Sequence, residues 1–311
     1  KKRTDLSFDK AAKQLRKTFL KSVRLHLRSD VPIGAALSGG VDSSALVCAM
    51  RYLEPDLPIH TFSYLARGTD ANEEHWVDVV NSHVGAIPHK VLVEPEDLVK
   101  DLDDIIRVQG DPFGSTSIYA QYRVFKAARE EGIVVMLDGQ GADELLAGYL
   151  GYPDARLKSI TGQGHWWKAF SFVKNWKRYH NKSMVQLIVS FTSPKRKESL
   201  KRLFGKRPPN WIDQSWCSIN QIDPVSSIDL PNKGKSEVGR ELMSSLRAAL
   251  TGKTGLLHLL RYEDRNAMRW SIESRVPFLT TEMAELTLSL PESFLISDYG
   301  ETKCLFREAM R

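Results

Sequence analysis

Apolar positions recur at helical spacing from 8 to 27 on a basic background, and the next apolar run, Val31-Pro-Ile-Gly-Ala-Ala36, is short and unbroken. The first pattern predicts an amphipathic helix and the second a buried strand that runs into a helix at 45–50. The alternation then repeats, with a strand at 58–64, a helix at 72–84, a short strand at 91–93, helices at 96–106 and 119–131, and a buried strand at 133–137. Strands alternating with helices imply a parallel sheet with right-handed crossovers, whose ligands sit at the carboxyl ends of the strands. The expected fold class is therefore α/β, a parallel five-stranded-type sheet flanked by helices. From about Pro153 the alternation stops and aromatic, basic helical stretches follow at 166–179 and 183–191. A break at Pro208-Pro209 and an exposed loop at 215–235 come next, then helices at 237–251 and 256–268 and a helix-like end at 302–310. The expected division is a nucleotide-binding core at 1–152 and a mostly helical part at 153–311 that completes it.

Chemistry enters at the end of the first strand, in Leu37-Ser-Gly-Gly-Val-Asp-Ser-Ser44. Gly39 and Gly40 allow positive φ and close backbone approach, and the hydroxyls of Ser38, Ser43 and Ser44 add donors at a helix N-terminus, so the loop is suited to a nucleotide phosphate. Neither the Gly-Lys-Ser/Thr ending of a Walker A loop nor a Gly-x-Gly-x-x-Gly turn is present. The string resembles the pyrophosphate-binding loop of the ATP pyrophosphatase (PP-loop) superfamily. Two further strings extend the likeness. One is Leu137-Asp-Gly-Gln-Gly-Ala-Asp-Glu-Leu-Leu-Ala-Gly-Tyr149. The other is Leu260-Arg-Tyr-Glu-Asp-Arg-Asn-Ala-Met268 with Ser271-Ile-Glu-Ser-Arg-Val-Pro-Phe-Leu279. In this order they resemble the synthetase domain of glutamine-dependent asparagine synthetases, whose relatives include β-lactam synthetases and lasso-peptide cyclases.

That resemblance implies an ATP-dependent carbon–nitrogen ligase that adenylates a carboxylate, releases pyrophosphate and amidates with ammonia, with ATP and Mg²⁺ as cofactors. Residue by residue, it implies Asp42 and Asp143 as magnesium-binding carboxylates and Lys303 as the lysine that meets the reacting phosphate. It places Leu37, Phe62, Ser63 and Gly139 against the adenosine half, and Ser38, Gly39, Gly40, Val41, Asp42, Ser43 and Ser44 around the phosphates. An acceptor pocket is expected from 111–117 and the loop of Gln140. Arg265 and Arg275 read better as structural than as charge partners. The family carries Gly-Glu-Gly where this chain has Gly139-Gln140-Gly141, and glutamine is no general base. Asp138 or Glu144 must then substitute, or Gln140 only orients ammonia, or the acceptor differs from aspartate, a sugar uronate or natural-product acid being the alternative. Thr280, where the family's string usually continues with Asp, is a lesser departure.

Composition adjusts this reading only slightly. Among 311 residues no run approaches the roughly 18 apolar residues of a membrane span, no leader pattern opens the chain, and a cytoplasmic protein with no membrane partner is expected. The three cysteines are widely spaced and give neither a disulfide framework nor a thiolate zinc site. The net charge of +6 is local, concentrated in the lysines and arginines between Arg156 and Arg207, and reads as a solvated or partner face. A tRNA-modifying PP-loop enzyme is the rival in another reaction class, and an ATP-binding module without turnover the rival outside enzymology. Nucleic acid is not the expected partner. The expected partners are a small carboxylate, ammonia and a glutaminase domain, with a homodimer for the chain itself. No glutaminase domain precedes Lys1, and the chain reads as a fragment.

Overall fold

The computed structural model describes residues 5–69, 72–180, 213–220, 237–252 and 255–311. At its centre β1 (Ile33–Ala36) pairs in parallel with β2 (His60–Tyr64) on one side and with β4 (Val135–Leu137) on the other. Outside these lie β3 (Ile87–Val91), beside β2, and β5 (Glu273–Arg275), beside β4, giving the order β3-β2-β1-β4-β5 with every pair parallel. The fold class is thus the α/β architecture expected from the alternation. The order reverses direction between β1 and β4, so the loops leaving these two strands diverge around a crevice at their carboxyl ends.

Helices α1 (Phe8–His26), α2 (Val41–Leu53), α3 (Glu74–Val84), α4 (Pro95–Gln109) and α5 (Thr116–Glu130) flank the sheet near their expected positions. Gly85 and Gly110 stop α3 and α4 in left-handed conformations. After β4 come the short α6 (Ala142–Leu146), then α7 (Tyr152–Gly162) and α8 (Trp166–His180). A helical turn, α9 (Gln214–Ile219), stands inside the span expected to be loop, and the expected helix at 183–191 lies outside the described residues. The chain continues through α10 (Glu241–Thr251), α11 (Leu256–Arg269), α12 (Thr281–Ser289), α13 (Glu292–Leu295) and α14 (Cys304–Ala309). Among the described residues no helix is long and apolar enough to cross a membrane.

Two strands depart from the sequence pattern. β3 lies at Ile87–Val91 rather than 91–93, because Ile-Pro-His-Lys-Val pairs along a sheet edge. There exposed side chains and a proline are tolerated and the apolar signal is weak. β5 has the sequence Glu-Ser-Arg and carries no apolar signal at all.

The principal core draws on both ends of the chain. Phe19 of α1 packs on Phe278 and on Phe306 of α14, with ring centroids 4.8 and 5.3 Å apart, and Phe8 meets Phe294 at 5.2 Å. All three partners of α1 come from beyond residue 270, so the helix seals the first segment against the last. A buried amide chain ties α11 to the sheet helices. Gln109 donates to Asn266 Oδ1 at 2.7 Å, and Asn266 Nδ2 donates to Ile118 O at 3.0 Å and Gln121 Oε1 at 3.1 Å.

Candidate active site

The loop after β1 is four residues long, Leu37 to Gly40, because α2 begins at Val41 with Gly40 as its N-cap. Gly39 takes a φ of 86°, and a Cβ there would lie 3.1 Å from Glu73 O and from Trp76 Cβ, so only glycine fits the turn without strain. The hydroxyls fold inward. Gly40 N–H donates to Ser38 Oγ at 3.3 Å, Ser38 N–H donates to Ser43 Oγ at 3.2 Å, and Ser43 Oγ donates to Gly40 O at 3.2 Å.

Asp42 stands in the first turn of α2 and points toward the loop after β4, where a Cβ on Gly139 would sit 3.5 Å from Asp42 Cβ. Asp143 occupies the first turn of α6. Between the two carboxylates lies the Lys303 ammonium, which donates to Asp42 Oδ2 and pairs with Asp143 Oδ1 at 2.6 Å. Lys303 is 8% exposed and its contact with Asp42 is largely buried, while Asp143 opens the cluster to solvent on one side. Burial pushes the Asp42 carboxyl above its ordinary value and the Lys303 charge pulls against it, while Asp42 Oδ1 remains buried without a partner. An orphaned carboxylate oxygen beside a second carboxylate fits Mg²⁺, which binds one or two protein carboxylates and takes its remaining ligands from phosphates and water. Among the described residues no three His, Cys, Asp or Glu side chains gather into a self-sufficient metal site.

The backbone around Lys303 is specialised. Lys303 has a left-handed φ of 56° at the N-cap of α14. The turn before it is closed by Ser297 Oγ accepting from Glu301 N–H at 3.1 Å, and by Gly300 lying so close to the Trp176 ring that a Cβ would come within 2.2 Å of it. The helical part of the chain thereby aims the lysine back at the β1 loop. Gly148 makes room for the ion pairs, since a Cβ there would fall 1.6 Å from Asp143 Oδ1 and 2.2 Å from Lys303 Cε. Gly141, at φ 88°, receives the Leu279 side chain, so the second sequence string packs directly on the third.

The remaining expected residues fall into two groups. Leu37 and Phe62 are core side chains, each 1% exposed, and Leu37 N–H is already bonded to Phe62 O at 3.0 Å. Ser63 is buried beside them with its hydroxyl unpartnered. Asp138 is held by the backbone N–H groups of Gly139 and Gln140 and by the Gln121 side chain, yet burial outweighs these bonds and raises its carboxyl. Arg265 donates to Gln109 O at 2.6 Å and Arg275 to His26 O at 2.6 Å, both bonds serving carbonyls at or next to helix C-termini.

Glu263, 2% exposed, lay unassigned inside a quoted string. Ser274 donates to its Oε1 and its Oε2 has no partner. Burial first, and the Asp138 charge second, push its carboxyl up to about 8. The signal for it was present in α11, where Leu256, Glu263 and Ala267 share one buried stripe at helical spacing. Gly148 had no comparable signal, because its requirement comes from the Asp143 carboxylate as Lys303, 155 residues away in sequence, packs beside it.

The fold and these loops define an ATP-pyrophosphatase-type α/β domain. A family model for asparagine synthase matches residues 14–311, and the chain belongs to that family. Glutamine-hydrolysing asparagine synthetase 1 of Bacillus subtilis is 33% identical over 97% of the chain and 47% of its own length. Asparagine synthetase 3 of the same organism is 26% identical over 99% and 47%, and the amidase chry2 of Gibberella zeae 25% over 98% and 50%. The chain thus spans about half the length of the curated relatives it matches. Among solved structures, a tRNA thiolase of Methanococcus maripaludis is similar over 68% of the chain and 70% of its own, at 13% identity and a TM-score of 0.32. The fold class rests on the sheet itself.

Proposed function

We propose that this chain is the synthetase part of an ATP-dependent amide-forming enzyme. A substrate carboxylate oxygen attacks the α-phosphorus of ATP, the bond to the bridging oxygen breaks, and pyrophosphate leaves with the electron pair. Ammonia then attacks the acyl carbon of the adenylate, AMP leaves, and one proton is given up. The observation that carries the reading is the Lys303 ammonium held between Asp42 and Asp143 beside a serine- and glycine-rich loop. The ammonium offers positive charge where the reaction concentrates negative charge on phosphate oxygens, and the two carboxylates beside it would draw in the divalent cation that outweighs their own charge. Mg²⁺, held by Asp42 and Asp143 together with the nucleotide, would neutralise the leaving pyrophosphate.

Each neighbouring group has a part in this scheme. The loop 38–44 trades its internal hydroxyl contacts for phosphate oxygens, and backbone groups at Leu37, Phe62, Ser63 and Gly139 border the adenosine. Asp138, more basic than an ordinary carboxylate and sharing its field with Glu263, accepts the ammonia proton. Gln140 orients the nucleophile. Ammonia comes free or from a glutaminase domain, as in the glutamine-hydrolysing relatives, and the reaction belongs in the cytoplasm with its ATP.

The nucleotide products test this reading. Incubation with ATP, Mg²⁺, an accepted acid and hydroxylamine should give AMP and pyrophosphate in equal amounts with the hydroxamate. Formation of ADP and phosphate would overturn it.

A further inference from the structure

A pocket of about 630 Å³ lies between α5, α10 and α11 and is lined in part by Glu144, the residue after Asp143. Its walls are apolar and aromatic, from Ile118, Tyr149, Tyr152, Leu259 and Tyr262, with Ala248 and Ala249 at one side. Among the described residues that line it there is no lysine or arginine, and the carboxylate of Glu144 and the imidazole of His258 are its ionisable groups apart from the tyrosines. Burial raises the phenols of Tyr149 and Tyr152 above their ordinary value, so both are neutral near pH 7, and Tyr149 donates its proton to Glu144 Oε1 at 2.7 Å.

Among the described residues, another place for a second carboxylate is the N-terminus of α5, where Gly114, Ser115 and Ser117 border the pocket. That end is already occupied by its own side chains. Ser115 Oγ accepts from Ser117 N–H at 3.2 Å and lies 2.8 Å from Ser117 Oγ. A dicarboxylic acid seated with one carboxylate at the Lys303 cluster would thus leave its other carboxylate desolvated near Glu144, with no lysine or arginine among the described lining residues to meet it. An apolar or aromatic body, by contrast, gains contact with every wall.

We propose that the acid activated by this site is a monocarboxylic acid with an aromatic or bulky apolar body, rather than aspartate or a uronate; this rests on the adenylation reading above.

The test is ATP–pyrophosphate exchange by the intact protein with L-aspartate, D-glucuronate, 3-phenylpropanoate, 4-hydroxyphenylpropanoate and 2-naphthylacetate as probes. Exchange with an aryl acid at least tenfold above aspartate and glucuronate is expected. Ala248→Phe, which fills the pocket from its side, should raise the apparent KM for that acid at least tenfold and leave the KM for ATP unchanged. Exchange driven best by aspartate or glucuronate would overturn the assignment of the acid while upholding adenylation. Exchange with no acid would overturn the adenylation reading, and thermal shift then decides the pocket. Stabilisation by the aryl acids that disappears in Ala248→Phe supports an apolar acid site, and no stabilisation overturns it.

Discussion

Lys303 pays twice for its position, once in a left-handed backbone and once in the desolvation of its ammonium. A left-handed non-glycine residue persists only where its surroundings over-determine it, at about 1 kcal/mol or more. Here the surroundings are two carboxylates. Lys303→Met leaves Asp42 and Asp143 facing each other unpaired, and should destabilise the protein at pH 7 by about 3 kcal/mol, the low end for a broken buried pair because Asp143 is 34% exposed. The loss should shrink as pH falls and one carboxylate takes a proton, which urea unfolding at pH 7 and pH 5 will measure. Glu263 gives a second residue-scale test. Its carboxyl is raised from 4.5 to about 8, so the folded state holds a proton that the unfolded state releases across that interval. Stability tied to this group is full below about 4.5 and is lost as pH rises through about 8. Wild-type urea midpoints should therefore fall between pH 5 and pH 8, and Glu263→Gln should flatten the fall. An equal slope in both proteins would show that Glu263 does not carry the effect.

At the scale of elements, α11 is tied to its neighbours by Asn266, whose amide joins Gln109, Ile118 and Gln121, and Gln121 in turn reaches Asp138. Asn266→Ala removes at once the bonds that Asn266 makes to Gln109, Ile118 O and Gln121, and should cost about 2–3 kcal/mol in chemical denaturation. The same change should alter the pH profile of turnover, because Asp138 loses the orientation of one of its donors. Gly141→Ala meets Leu279 in a left-handed conformation and should destabilise by a similar amount. These elements also show what was legible in the sequence. β1, β4 and their loops were plain, since a buried strand, glycines and hydroxyls each act locally. β3 was displaced because an edge strand need not be apolar, and β5 was missed because Glu-Ser-Arg enters the sheet only through pairing with β4. The cluster of Asp42, Asp143 and Lys303 was reached through the resemblance of motifs; no local rule joins residues 261 apart. Glu263 went unassigned although its helical stripe marked it.

Across the whole molecule, the first and last segments share one core. Phe19 is sealed by Phe278 and Phe306, and the buried Glu292 carboxylate accepts from Met243 N–H at 3.0 Å and pairs with Arg156 at 3.3 Å. A fragment ending at residue 152 would expose the inner face of α1 and lack β5, so it should show no cooperative unfolding transition, whereas the full chain should unfold in one step by circular dichroism. The same arrangement brings Lys303 against Asp42 after the first loop of the sheet, so that the proposed reacting centre is assembled only in the complete fold. We propose that this lysine acts at the transferring phosphate and does not merely balance the two carboxylates beside it. ATP–pyrophosphate exchange by Lys303→Met, alongside calorimetric binding of Mg-ATP, tests it most directly. The account predicts exchange reduced at least a thousandfold, about 4 kcal/mol of transition-state stabilisation, with nucleotide affinity changed less than tenfold. Exchange retained within tenfold of wild type would contradict it.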